Sequence, residues 1–270
     1  MSFKLNANQK PLIMGILNVT PDSFSDGGKY SQVDSAVSHA QEMVKQGADI
    51  IDIGGESSRP GSKKISRQEE IDRVMPVIEQ IRNNSDIPIS VDTTKASIIK
   101  EALKFDVQII NDISSLGDSD SLNILRDKEV YICLMHMKGT PNNMQDNPEY
   151  DNVVLEVLGF LKDKINMCIK EGISKEKLII DPGFGFGKTL DHNYELLKNL
   201  KKLKHLHKNL LVGISRKSMI GNLLNREIDQ RLIGSLAATL ISVYNGANII
   251  RTHDVHETKL LLNMTQELKD

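Results

Sequence analysis

The stretch QVDSAVSHAQEMVKQGADIIDIGGE, residues 32–56, decides the fold. Val33, Ala36, Val37, Ala40, Met43 and Val44 recur at helical spacing and give one apolar face. Gly47 stops that helix, because glycine adopts the left-handed turn of a helix end without steric cost. Asp49–Ile53 then forms a run of strand length that is apolar on both faces, as in a parallel strand covered by helices. The run ends in a polar cluster of Asp52, Gly54, Gly55 and Glu56.

The same unit repeats outward in both directions. Strand-like runs lie at Leu12–Leu17, Ile87–Val91, Val107–Ile110, Val130–Met135, Lys177–Ile180, Leu210–Ile214 and Asn248–Ile250. Helical patterns lie at Arg67–Arg82, Lys95–Lys104, Asp120–Arg126, Asn152–Glu171, His192–Leu203, Gln230–Gly246 and Val255–Leu268. Eight strands alternating with eight helices in 270 residues predict a single (β/α)8 TIM barrel, one domain over residues 1–270. Phe3–Leu5 reads as a small N-terminal strand capping the barrel bottom. With aromatics at 4% and no Trp, the core must be aliphatic. A net charge of −2 offers no global field for nucleic acid or an anionic membrane, so any anion site must be local. No run reaches the length of a membrane span or a signal peptide. Two cysteines, Cys133 and Cys168, sit in apolar segments and read as buried thiols. These features predict a cytoplasmic location.

Barrel chemistry sits on the loops after the strands. Asn18 follows the first run, Asp92 ends the third, and Asn111 and Asp112 end the fourth. Met135 and His136 end the fifth and Asp181 the sixth. Ser215, Arg216 and Lys217 follow the seventh, and Arg251, His253 and Asp254 the eighth. Helix capping explains any one of these polar residues, but not all the strand ends together. The loop at residues 18–28 is long and hydroxyl-rich and suits a lid. The loop at 54–61 offers Ser57, Ser58 and Arg59. The segment at 213–221 opens a short extra helix where barrels bind phosphate, with Arg216, Lys217 and Arg251 as cations. Asp92, Asn111 and Asp181 suit a flat, nitrogen-rich heterocycle; acid–base or metal chemistry by paired carboxylates is the alternative. Pro182–Thr189 nearly matches a nucleotide phosphate loop, but starts with proline and lacks companion elements. His253 and His256 lack further metal ligands. His205 and His207 read as surface residues on a basic helix end.

Taken together, MGILNVTPDSFSDGG (14–28), IIDIGGESSRPG (50–61), SVDTTK (90–95), IINDISS (109–115), LMHMKGTPNNMQ (134–145), DPGFGFGK (181–188), GISRKSMIG (213–221) and RTHDV (251–255) resemble the dihydropteroate synthases of the pterin-binding enzyme family. The resemblance covers nearly the whole chain. It implies condensation of 6-hydroxymethyl-7,8-dihydropterin diphosphate with 4-aminobenzoate in folate biosynthesis, by a dissociative, Mg2+-assisted substitution. It further implies that Asp92, Asn111 and Asp181 bind the pterin, that Ile113, Met135, Phe186 and Gly213 line its slot, and that Lys217 contacts both the pterin and the binding region for aminobenzoate. By the same carry-over, Asn18 and Asp26 hold Mg2+, and Arg251, His253, Ser58 and Arg59 bind the diphosphate. Phe24, Pro60 and Ser218 frame the aminobenzoate site. Asp92, Lys217, Asp26 and Arg251 form the catalytic set. Sulfonamide competition at the aminobenzoate site and a homodimer also follow from the resemblance; the apolar last helices carry Leu236, Leu240, Leu260 and Leu261, which are candidates either for the dimer interface or for burial against the barrel. Two positions depart from the common pattern: Ser58 stands where threonine is frequent, and Thr252 where valine is. No role beyond bracing the second loop is assigned to Asp52. The competing readings are a pterin-binding, corrinoid-dependent methyltransferase, a Schiff-base lyase using Lys217, and a non-catalytic pterin-binding module.

Overall fold

The computed structural model describes residues 3–5, 10–20 and 29–267. Eight parallel strands form one sheet in the order β6-β5-β4-β3-β2-β1-β8-β7. They are β1 (Leu12–Asn18), β2 (Ile50–Gly54), β3 (Ile89–Asp92), β4 (Ile109–Asp112), β5 (Tyr131–Met135), β6 (Leu178–Asp181), β7 (Leu211–Val212) and β8 (Ile249–Thr252). A single parallel bridge, Ile180 to Leu210, closes the barrel between β6 and β7. β7 is shorter than its apolar run because asparagine side chains replace ladder bonds around it. Asn209 Nδ2 donates to the Leu178 carbonyl at 2.9 Å, and Asn248 Oδ1 accepts from Leu210 N at 2.7 Å.

Among the described residues ten α-helices accompany the strands: α1 (Lys29–Gln46), α2 (Arg67–Asn84), α3 (Ala96–Ala102), α4 (Ser119–Leu125), α5 (Val153–Lys170), α6 (Leu190–Lys198), α7 (Leu200–Leu206), α8 (Ser218–Leu224), α9 (Leu232–Tyr244) and α10 (Val255–Glu267). The stretch expected as one helix over His192–Leu203 is two. Asn199 ends the first and begins the second, leaving helical geometry at φ −102, while its side-chain amide donates to the Glu195 carbonyl at 2.9 Å beside the backbone bond to the same oxygen. The extra helix expected after β7 is α8. Gly47, Gly172 and Gly246 all have positive φ, as helix-ending glycines should.

Alternation along the strands sorts the interior. Met14, Ile50, Ile109, Tyr131, Ile179, Leu211 and Ile249 point inward and form a dry lower core. Two residues further along, the same inward phase reaches Asp52, Asn111, Asp181, Gly213 and Arg251, so the upper barrel is polar. The opposite phase, including Ile13, Leu17, Ile51, Ile53 and Ile110, joins the helices in a larger aliphatic core, each such side chain contributing about 1.5–3 kcal/mol on burial.

Two expectations change. Phe3–Leu5 is not a strand, although it does plug the barrel bottom: Phe3 meets the Tyr131 ring edge-on at 5.8 Å, and Leu5 N donates to the Tyr131 hydroxyl. His207 is buried rather than superficial. Its ring lies 3.0 Å from the Lys175 carbonyl and accepts from Asn209 N at 3.1 Å, tying the α7 end to the loop before β6.

Candidate active site

The polar upper layer is organised by Arg251 on β8. Its Nε donates to Asp52 Oδ2 at 2.6 Å and its Nη2 to Asp92 Oδ2 at 2.8 Å. Asn111 Nδ2 donates to the same Asp52 oxygen at 3.1 Å. Asp52 is fully buried. It therefore braces Arg251 and Asn111, not the second loop, and it is the site residue whose importance the motif reading missed. The available signal was phase: Asp52 lies two residues beyond the inward Ile50, and its own side chain has no solvent exposure.

Asp92 and Asp181 sit in register with Asn111 and Met135 respectively, which brings the predicted heterocycle-binding groups to one rim. Each keeps a polar atom without a hydrogen bond among the described residues. Asp92 Oδ2 is taken by Arg251 and Asp181 Oδ1 accepts from Gly183 N at 2.7 Å, leaving the other oxygen of each available. Asn111 spends one N–H on Asp52, leaving its carbonyl oxygen as an acceptor. Burial raises the carboxyls of both Asp92 and Asp181 above the ordinary aspartate value; Arg251 opposes this at Asp92, and Lys217 at Asp181. Ile113 and Met135 are buried beside them, and the Arg251 Cβ lies 3.6 Å from where a Gly213 side chain would begin, an ordinary van der Waals contact.

Lys217, at the N-terminus of α8, donates to the Phe184 carbonyl at 2.5 Å, with Nζ 4.6 Å from the centre of the Phe186 ring. Burial draws it down to about 8. Arg216 departs from expectation. Its backbone adopts φ +58, and its guanidinium turns to Asp254, with Nε to Oδ2 at 3.1 Å and a second bond to Oδ1. It is an ion-paired neighbour of the site, not a free anion clamp. Ser215 Oγ accepts from His253 N at 3.2 Å and lies 3.1 Å from His253 Nδ1.

His253 marks the cationic side of the site. Burial first, then Arg251 and Arg216, with Arg59 adding, hold its imidazole down to about 4; Asp254 opposes them. An unfolded chain takes up that proton near 6.5, the folded one only near 4. The unfolded state thus binds more protons in this window, and stability should fall as pH drops from 6.5 to 4. Urea midpoints measured across that range should decline less steeply in His253→Asn; an unchanged slope would contradict a buried neutral imidazole.

The second loop is anchored at its base. Glu70 is buried, accepts from Thr93 Oγ1 at 2.6 Å and pairs with Lys95 at 2.5 Å, and Lys95 also binds Glu56. Arg73 Nη1 donates to the Gly55 carbonyl at 2.9 Å. Beyond this base, Ser58 is half-buried, and Arg59 and Pro60 are exposed at the rim, as is Ser218. Asn18 ends β1 at the same rim, in register with Gly54. Phe24 and Asp26 lie outside the described residues.

The 182–189 segment turns carbonyls, not N–H groups, toward its lysine. Gly183, Gly185 and Gly187 take positive φ, but the backbone presents carbonyls inward, and Lys188 is buried among them with 3% exposure. A Cβ on Gly183 would lie 2.0 Å from the His136 carbonyl oxygen. Gly183→Ala should therefore cost at least about 2–3 kcal/mol, combining backbone strain with displacement of β5's loop. A thermal melt within a degree of wild type would contradict that packing.

A family model described as pterin binding enzyme matches residues 14–253. The dihydropteroate synthase of Haemophilus influenzae is 49% identical over 269 residues, covering 97% of this chain and 98% of that protein. Among solved structures, the Yersinia pestis dihydropteroate synthase in a sulfonamide drug complex superposes with a TM-score of 0.93 at 49% identity, covering 98% of this chain and 96% of that one. The Xanthomonas albilineans dihydropteroate synthase with 4-aminobenzoic acid gives 0.92 at 43% identity, covering 98% and 95%.

Proposed function

Since the chain belongs to the pterin-binding enzyme family and, within it, to the dihydropteroate synthases, we propose a division of labour across Arg251, with the pterin ring on the carboxylate side and the diphosphate on the cationic side. The reaction joins 6-hydroxymethyl-7,8-dihydropterin diphosphate to 4-aminobenzoate and releases diphosphate. The observation that carries the division is the Arg251 fork, which fixes one guanidinium between Asp52 and Asp92 while His253 and Arg59 lie close by.

The free oxygens of Asp92 and Asp181 accept N–H groups from the pterin edge, and the Asn111 carbonyl accepts a third. Phe186 supports the ring face, with Lys217 above it. Arg251, His253, Ser58 and Arg59 hold the diphosphate through charge-assisted hydrogen bonds. Negative charge then accumulates on the leaving group beside cations. Positive charge spreads into the dihydropterin beside Asp92, which is poorly solvated and acts strongly on it. Aminobenzoate, framed by Pro60, Ser218 and Phe24 of the first loop, attacks the methylene carbon; its nitrogen loses a proton as the new C–N bond forms. Closure of that loop excludes water from the cation. Sulfonamides occupy the aminobenzoate position.

The rim suits Mg2+. Among the described residues no three His, Cys, Asp or Glu side chains converge on a metal position, but Mg2+ commonly takes one or two protein oxygens and completes its shell with phosphate and water. Asn18 at the β1 end offers one amide oxygen and Asp26 the other ligand. The ion supplies charge neutralisation for the diphosphate. A second copy of the chain docks on α9 and α10, where Ile233, Ile241, Tyr244, Leu260 and Met264 are exposed. Of the residues proposed from sequence, Leu236, Leu240 and Leu261 are half-buried, so the contact centres on the exposed set. Among the described residues no helix is long and apolar enough to cross a membrane, and the free, buried thiols of Cys133 and Cys168 suit the reducing cytoplasm.

The test is direct. Purified protein with the pterin diphosphate, 4-aminobenzoate and Mg2+ should form dihydropteroate, and a chelator should suppress it. Methyl transfer from methyltetrahydrofolate to a corrinoid partner, without dihydropteroate formation, would overturn the reading.

A further inference from the structure

Residues 183–188 follow β6 and carry Phe186, yet they belong to no helix or strand. Every carbonyl along them is instead held by a side chain. Lys188 Nζ donates to Gly183 O at 2.9 Å and Phe186 O at 3.0 Å, and Lys217 Nζ to Phe184 O. Gln145 takes Gly185 O at 2.7 Å, Tyr150 takes Gly187 O at 2.7 Å, and Asn193 takes Lys188 O at 3.3 Å. The amine of Lys188 also reaches back to β5's loop, lying 2.9 Å from His136 Nδ1 and 3.3 Å from His136 O. Burial, followed by the charge of Lys188, holds His136 down to about 3, so its ring is neutral and Nδ1 accepts the bond. Phe184, fully buried, pins the loop from the core side.

The geometry points to Lys188 as a positioning residue for the pterin slot. Its buried amine draws Gly183, Phe186 and His136 onto one point, and so sets where three slot groups stand. Gly183 N holds Asp181 Oδ1, Phe186 forms the ring support, and Phe184 O holds Lys217. Among the described residues, no other hydrogen bond fixes the Phe186 carbonyl. Lys188 itself touches no substrate. The glycine spacing of Pro182–Thr189 resembles a phosphate loop, but the chemistry is inverted: carbonyls converge on a lysine instead of N–H groups on an anion.

The inference rests on the proposed pterin slot. Its test is a titration of Lys188→Met, Gln145→Ala and Asp181→Asn with 6-hydroxymethyl-7,8-dihydropterin diphosphate without aminobenzoate, followed by KM for each substrate and melting temperature. Lys188→Met should weaken pterin affinity about 10- to 100-fold, the range typical when groups that orient a binding shell are lost, with the aminobenzoate KM within about twofold. Should Lys188→Met not fold, Gln145→Ala frees the Gly185 carbonyl from an exposed position and should raise the pterin KM with an unchanged melt. Unchanged pterin affinity in a folded Lys188→Met, or in Gln145→Ala where Lys188→Met does not fold, overturns the positioning role, as does an equal rise in both KM values. If Asp181→Asn also leaves pterin affinity unchanged, it is the slot assignment that fails.

Discussion

Asp92→Asn should lower turnover by on the order of 10²–10³-fold, the usual cost of removing one group that stabilises developing charge, while pterin affinity falls far less. Asparagine keeps one oxygen to accept the Arg251 Nη2 bond that Asp92 now makes at 2.8 Å, and its amide nitrogen takes the place of the oxygen facing the pterin, so one ring hydrogen bond is lost together with the charge. What disappears is the negative charge facing the pterin as its methylene carbon becomes cationic. That charge is costly to maintain, since burial raises the Asp92 carboxyl, and the reaction recovers the cost only in the transition state. Single-turnover rates and equilibrium pterin binding, measured on the same variant, separate these contributions. Near-normal turnover would remove Asp92 from the chemistry.

Asp52→Ala should produce the largest loss of stability, about 3–5 kcal/mol, because it breaks a buried pair by removing one partner. Asp52 has no solvent exposure, and one of its oxygens serves both Arg251 and Asn111. Without it, Arg251 keeps only Asp92, and the Asn111 amide is left in the barrel interior without its acceptor. Activity should fall as well, through misplacement of both groups, although Asp52 need not touch substrate. Urea denaturation gives the stability term. A loss below about 0.5 kcal/mol, the range of inert surface substitutions, would show that Asp52 does not brace the site.

The repeat of helix, glycine and apolar run around residues 32–56 was enough to read the barrel, because period 3.6 and strand-length runs survive any detail of packing. Polar strand ends located Asp92, Asn111, Asp181, Lys217, Arg251 and His253 for the same reason. Side-chain partnership was not legible. Arg216 and Lys217 are neighbours in sequence, but the positive φ at Arg216 turns it to Asp254 and away from the anion side. Asp52 lay inside an apolar run, and only the inward phase shared with Ile50 distinguishes it. Lys188 was hidden by a motif that specifies glycine spacing and says nothing of whether carbonyls or N–H groups converge. Asn209 and Asn248 shortened β7 by replacing ladder bonds with side-chain bonds, which hydropathy does not record.

The central claim is that the bond from the pterin methylene to diphosphate breaks ahead of attack, between the carboxylates on one side of Arg251 and the cations on the other. Its most direct test is the secondary isotope effect on single-turnover chemistry with substrate dideuterated at that methylene. A normal effect well above unity, persisting at saturating aminobenzoate, is the expected result. An effect at unity under chemistry-limited conditions would mean that attack and departure are concerted, and would contradict it.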